Sequence, residues 1–175
     1  MSQKELEAWL ERLQEESFGW ALSCCSGDRA RAEDVLQSSY VRVIAGKAVY
    51  SERSTFRTWL FGVIRRVALE QHRRVRTEWK RTLRLEHPNV QVVVDDRPGP
   101  HDFESARALH TALSQLPERQ REVLHLVFYQ DMSIAEAAEV MEISVGSART
   151  HYERGKARLR LVLEDSRNER PASGS

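Results

Sequence analysis

Cysteine is nearly absent: the 175 residues hold two, adjacent at Cys24 and Cys25. They cannot build a disulfide framework. Neighbours on a helix point about 100° apart, so they read as small core residues and not as a metal pair. Glycine (8) and proline (5) are also scarce, and with 41% hydrophobic residues this excludes collagen-like and fully disordered chains. No apolar run approaches the roughly 20 residues that span a bilayer. The opening stretch MSQKELEAWLERLQEE has no apolar segment of a secretion signal, so a cytoplasmic protein without membrane insertion is expected. There is no phosphate-binding glycine loop, no H-E-x-x-H and no G-x-S-x-G. The six histidines, His72, His87, His101, His110, His125 and His151, are scattered without ligand spacing. No catalysis, cofactor or metal is expected. Net charge is missing too: 27 Lys+Arg against 26 Asp+Glu leaves +1, which by itself argues against a nucleic-acid partner.

That average hides blocks. Met1 to Ala30 carries −3. Arg53 to Arg81 holds nine bases opposed only by Glu70 and Glu78, for +7. Glu86 to Ser105 carries −4, Asp131 to Ile143 has four acids and no base, and Arg149 to Arg160 carries +4. Two basic blocks separated by acidic ones point to two anion-binding faces; a solvated helix face is the plainer reading of either block alone.

What is abundant is helical periodicity. An opening helix carries Leu6, Trp9, Leu10 and Leu13, then Trp20, Ala21 and Leu22. A second carries Val35, Leu36, Tyr40, Val43 and Ile44; a third carries Phe56, Trp59, Leu60, Val63, Ile64 and Val67. From Arg81 to Phe103 the pattern stops among Pro88, Pro98, Gly99, Pro100 and several acids, which reads as a linker, with Val92-Val93-Val94 at most a short extended piece. Helical spacing resumes with Ala106, Leu109, Leu113 and Leu116, then Val123, Leu124, Val127 and Phe128. The expected fold is all-α: two small helical domains on a flexible linker, with a disordered tail after Asp165.

Asp131 to Leu163 is the most informative stretch. Ser133 and Glu136 have capping-box spacing, and Ile134, Ala137, Ala138 and Met141 give the helix a face of small apolar residues. Glu142-Ile143-Ser144 makes a short turn, and Ser144 can cap the next helix. There Ala148, Tyr152, Gly155, Leu159 and Val162 share one face, and Arg149, Thr150, Glu153, Arg154, Lys156, Arg158 and Arg160 take the rest. This helix-turn-helix fits a DNA major groove. Ser147, Arg149, Thr150 and Arg154 stand near the groove-entering end, with Lys156, Arg158 and Arg160 placed for phosphate. An ordinary helical hairpin with a charged face is the alternative.

Three stretches, GDRARAEDVLQSSYVRV (Gly27 to Val43), STFRTWLFGVIRRVALEQHRR (Ser54 to Arg74) and the segment from Ala112 to Leu163, resemble the extracytoplasmic-function (ECF) group of RNA polymerase sigma factors. The resemblance implies a sigma-two-like domain at 1–82, an acidic linker at 83–104, a sigma-four-like helix-turn-helix domain at 105–165 and a tail at 166–175. It further implies binding to core RNA polymerase, through its beta-prime clamp and beta flap, and to promoter DNA, with an anti-sigma factor as a possible regulator. The clamp would meet Glu33, Asp34, Gln37, Ser38 and Val41. The minus-ten element would be read by the loop from Tyr50 to Thr55, with Ser51, Glu52, Arg53 and Ser54 lining a base pocket and Arg57, Arg65, Arg66, Arg73 and Arg74 on the backbone. Trp59 reads more as core than as a DNA contact, and Trp79 is open between DNA and solvent. The minus-thirty-five element would be read by Ser147, Arg149, Thr150, Arg154, Lys156 and Arg158. The linker would run toward the RNA exit path, and its acids would favour a compact free protein. Two departures stand out: the family has acids where this chain has Arg31 and Ser38, which raises phosphorylation of Ser38 or Ser39 as a way to restore charge. A stand-alone helix-turn-helix regulator, a rival reading, leaves the Phe56-Arg57-Thr58-Trp59-Leu60 block unexplained, and a helical adaptor is a second rival.

Overall fold

A computed structural model of the chain describes residues 2–82 and 112–168, with side chains for 2–77 and 112–164. The linker assigned to 83–104, Ala106, Leu109 and the residues after Asn168 lie outside the described residues, as do the side chains of Trp79, Lys80 and Arg81. Every regular element among the described residues is a helix, and the chain divides into two compact units, Met1–Asp95 and Asp96–Ser175.

The first unit contains α1 (Gln3–Arg12), α2 (Gln14–Cys24), α3 (Arg29–Ile44) and α4 (Phe56–Thr82). The single opening helix expected from periodicity is two helices, broken at Leu13, which ends α1 and begins α2 with φ −91° and ψ 4°. Ser2 and Glu5 form a capping box at the start of α1, and the break lets Leu10 and Leu13 both reach the core. Trp20 is fully buried; its indole N–H donates to the Phe61 carbonyl at 3.0 Å, pinning α2 to α4. Asp28 caps α3 by accepting from the Arg31 N–H at 3.0 Å. Thr55 caps α4, its hydroxyl oxygen accepting from the Thr58 N–H at 3.1 Å. α4 packs against both α2 and α3. Cys25 is buried just past α2, and desolvation pushes its thiol up to about 11, so it stays protonated as a core residue.

The second unit contains a helical turn at 112–114, α5 (Glu118–Phe128), α6 (Ile134–Met141) and α7 (Val145–Asn168). α7 continues three residues into the stretch read as a tail. The three helices pack pairwise, burying Val123, Leu124, Leu126, Ala137, Ala138, Val140, Met141 and Ala148.

Candidate functional site

In the first unit, Tyr50 to Thr55 forms the connection into α4. Tyr50 folds it back: its hydroxyl donates to the Ser54 carbonyl at 2.6 Å. Glu52 takes the left-handed conformation at φ 59°, a strained placement for a residue with a β-carbon. Ser51, Glu52, Arg53 and Thr55 are exposed and Ser54 is half-buried. Behind the loop stands an aromatic cluster. Tyr50 meets Phe56 edge-on at 5.3 Å, Trp59 lies 5.3 Å from both, and Trp9 of α1 adds to it 5.9 Å from Phe56. An exposed polar loop over a cluster of aromatic rings can hold an unstacked base.

The arginines of α4 divide into two groups. Arg66, Arg73 and Arg74 are exposed, as expected for backbone contacts. Arg65 is not: it is 5% exposed, because α4 is flanked by two helices and its buried arc takes in Phe61, Arg65 and Ala68 as well as the apolar stripe. Arg57 is half-buried; its Nε donates to Glu16 of α2 at 2.6 Å and its guanidinium lies 5.2 Å from the centre of the Phe61 ring. Within the protein Arg57 thus ties α4 to α2, and Arg65 lies inside the first unit. Trp59 is half-buried, joining the aromatic cluster on one side and lining a groove on the other.

That groove, of about 250 Å³, is lined by Arg42, Lys47, Trp59, Val63, Arg66 and Glu70, among others. Arg42 donates to Glu70 at 2.6 Å across it. Sequence reasoning missed Arg42, Lys47 and Glu70. The available signal was Glu70 as the one acid between Arg57 and Thr77.

On α3, Glu33, Asp34, Gln37 and Val41 are exposed and Ser38 is half-buried. Ile44, expected in the core, is 47% exposed near Val41, because α3 ends there and the chain turns away at Ala45. Arg29 pairs with Glu33 at 3.2 Å, which further thins the acidic face. Beside this face lies a groove of about 860 Å³, with Arg12, Glu15, Phe18, Asp34, Gln37 and Tyr40 among its lining. Ser39 is fully buried and its hydroxyl donates to the Val35 carbonyl at 2.7 Å, so of the two serines only Ser38 is accessible for modification.

In the second unit, the helix-turn-helix forms from the expected signals. Ser133 accepts from the Glu136 N–H at 3.2 Å and Glu136 accepts from the Ser133 N–H at 2.9 Å. Glu142 ends α6 in the left-handed conformation, and Ser144 caps α7 by accepting from the Ser147 N–H at 3.1 Å. Ala148 and Gly155 are buried on the inner side of α7. At about 100° per residue, Ser147, Thr150, Arg154 and Arg158 form one exposed stripe, and Arg149 projects from the other flank beside Arg160. The Thr150 hydroxyl donates to the Gly146 carbonyl at 3.0 Å. Lys156 is half-buried: its ammonium lies 4.4 Å from the centre of the Tyr152 ring and 3.0 Å from Glu153, so within the protein it is engaged along α7. Phe128, expected in the core, is 57% exposed and stacks on Tyr152 at 5.9 Å; Tyr129 beside it is 55% exposed. Phe128 is the last residue of α5, and with Tyr129 it leaves an aromatic patch.

Among the described residues, no group of three or more His, Cys, Asp or Glu could hold a metal ion, and no helix is long and apolar enough to cross a membrane.

Comparison with known proteins bears on both units. Residues 8–78 match the family Sigma-70 region 2, and residues 106–159 match Sigma-70, region 4. The chain is similar to the ECF RNA polymerase sigma factor SigX of Bacillus subtilis, at 33% identity over 146 residues, covering 81% of this chain and 75% of that one. It is similar to the ECF RNA polymerase sigma factor SigC of Mycobacterium tuberculosis, at 30% identity over 156 residues, covering 89% and 82%. Its fold is similar to that of the sigma factor RpoE of Bartonella quintana, solved in complex with the anti-sigma factor NepR, with a TM-score of 0.73, 22% identity and coverage of 92% of this chain and 98% of that one. The chain belongs to the extracytoplasmic-function group of RNA polymerase sigma factors, and its function is to direct RNA polymerase to promoters and begin transcription there.

Proposed function

We propose that the first unit opens the promoter and the second anchors it. The loop of Ser51, Glu52, Arg53 and Ser54 captures an extruded minus-ten base against the aromatic cluster, and Arg66, Arg73 and Arg74 hold the strand's phosphates. The stripe of Ser147, Thr150, Arg154 and Arg158 enters the major groove of the minus-thirty-five element, with Arg149 reaching the opposite groove wall. Glu33, Asp34, Gln37 and Val41 dock on the polymerase clamp, with Ser38 at the edge of that contact. The patch of Phe128 and Tyr129 docks on the polymerase flap, since exposed aromatics are favoured interface anchors. The chain itself is catalytically silent: phosphodiester chemistry belongs to the polymerase, and the site of action is the cytoplasm. An anti-sigma factor takes the 860 Å³ groove beside α3 and competes with the clamp.

Most weight rests on α7. Its inner side is closed by Ala148 and Gly155, and the row of Ser147, Thr150, Arg154 and Arg158 stays exposed, as a groove-reading helix requires. The test is transcription with purified core polymerase on the DNA upstream of the chain's own gene and on promoters whose transcripts rise on overexpression. Specific initiation that is lost on Arg154→Ala supports the reading. No specific initiation on any of these templates overturns it.

A further inference from the structure

The groove between the end of α3 and the middle of α4 is distinct from the minus-ten loop. Three cations line it, Arg42, Lys47 and Arg66, with one carboxylate, Glu70, and the half-buried indole of Trp59. Arg42 and Glu70 meet at 2.6 Å, yet their side chains remain 34% and 44% exposed. The arginines around Glu70, first Arg42 and then Arg74 and Arg66, hold its carboxyl below the usual carboxylate range, so it is ionised at neutral pH. The pair is not needed to join the helices. α3 and α4 already pack together, with Val35, Val43, Val63 and Val67 buried, and half-exposed ion pairs add little to stability. Glu70 is also the one acid in a helical stretch that carries Arg65, Arg66, Arg73, Arg74 and Arg76.

We propose that this groove binds one nucleotide of the opened promoter strand, with Glu70 as a built-in competitor whose carboxylate occupies the cationic site that a backbone phosphate takes over. On binding, Arg42 exchanges Glu70 for the phosphate, Lys47 and Arg66 share its charge, and the face of Trp59 receives the neighbouring base. Exchanging one anion for another gives a near-balanced reaction. DNA met at random gains little, whereas a strand already held by the nearby loop arrives at high effective concentration and displaces the carboxylate. Glu70 thereby acts as a specificity-determining residue that no base contact would reveal. The inference rests on the proposed use of the first unit on DNA.

The test uses the full chain and a labelled oligothymidylate single strand, with anisotropy read across about 50 to 200 mM salt. Glu70→Gln keeps the shape and removes the charge. It should bind about 3- to 10-fold tighter than wild type and steepen the slope of log K against log salt by about 0.7, one further phosphate contact. Arg42→Gln should make the slope shallower, and the double variant should behave as Arg42→Gln. Glu70→Gln binding that is no tighter than wild type, or undetectable in both, overturns the proposal. A fall in binding that parallels a fall in thermal midpoint, in Glu70→Gln and Arg42→Gln alike, also overturns it, since the pair is then a structural strut. Arg53→Ala, assayed for promoter opening with core polymerase, separates this from the loop reading. If it opens promoters at the wild-type rate while Glu70→Gln still tightens binding, the loop assignment fails and the groove stands.

Discussion

Gly155 is the point at which one added methyl group should do most damage to α7, the helix proposed to read DNA. α7 approaches α5 so closely there that a β-carbon would lie 3.1 Å from Leu124 Cδ1, 3.2 Å from Leu124 Cγ and 3.3 Å from Gln120 Cβ. Two contributions oppose each other. Alanine in a helix interior is favoured over glycine by about 1 kcal/mol, and overpacking a close contact costs about 1–3 kcal/mol. The crowded atoms decide the sign. Leu124 is 2% exposed and meets the new methyl at its branch carbon, and the Gln120 atom is the one next to the backbone, so neither can swing aside. Gly155→Ala should therefore lose about 1 kcal/mol, which for a domain this small is a drop of about 4–8 °C in thermal midpoint. Gly155→Val, with a second branch, should lose more.

The chain supplies its own internal reference for that measurement. All four tryptophans, Trp9, Trp20, Trp59 and Trp79, precede the linker, so tryptophan fluorescence reads the first unit while helical circular dichroism reads both. Gly155→Ala should lower part of the dichroism transition and leave the fluorescence transition in place. Leu124→Ala removes the crowded atoms at its own cost of about 2–5 kcal/mol. In that background Gly155→Ala should become neutral or stabilising, a coupling of about 1 kcal/mol or more. A higher midpoint for Gly155→Ala in the otherwise unaltered chain, or zero coupling with Leu124→Ala, would refute the close approach of α5 and α7.

Three further outcomes are expected. Trp20→Phe removes the indole N–H that satisfies the Phe61 carbonyl and leaves a void, so it should cost the first unit about 2–4 kcal/mol in urea unfolding followed by circular dichroism. Ser39→Asp places a charge where a fully buried hydroxyl bonds the Val35 carbonyl and should abolish folding of the first unit, seen as loss of its fluorescence transition, while Ser38→Asp should fold normally. Burial pushes His125 down to about 4 from 6.5, so between those values the unfolded chain binds a proton that the folded one refuses. The second unit should then keep this stability above pH 6.5 and lose up to about 3 kcal/mol as pH falls toward 4, in thermal melts; His125→Gln should flatten that dependence.

The helices were legible because apolar spacing and caps agree locally. Ser133, Glu136 and Ser144 take the capping roles their spacing implies, and Ala148 and Gly155 lie on the inner side of α7. The break at Leu13 was not legible, since no glycine, proline or side-chain cap marks it; it exists because α1 and α2 must both turn apolar faces to one core. The charged site was legible as a region and not residue by residue. Arg65 and Arg66 are neighbours in a basic run, but α4 is flanked by two helices, and that second neighbour extends the buried arc over Arg65 and leaves Arg66 outside. Phe128 fails in the opposite direction: it continues the apolar stripe of α5, yet it meets Tyr152 on one face and stays 57% exposed. Both misreadings have one cause, which arc of a helix its neighbours cover, and local sequence does not encode it. They also carry functional information. A buried arginine is tied into its own domain, and an aromatic left outside a small domain marks a surface that needs a partner to cover it.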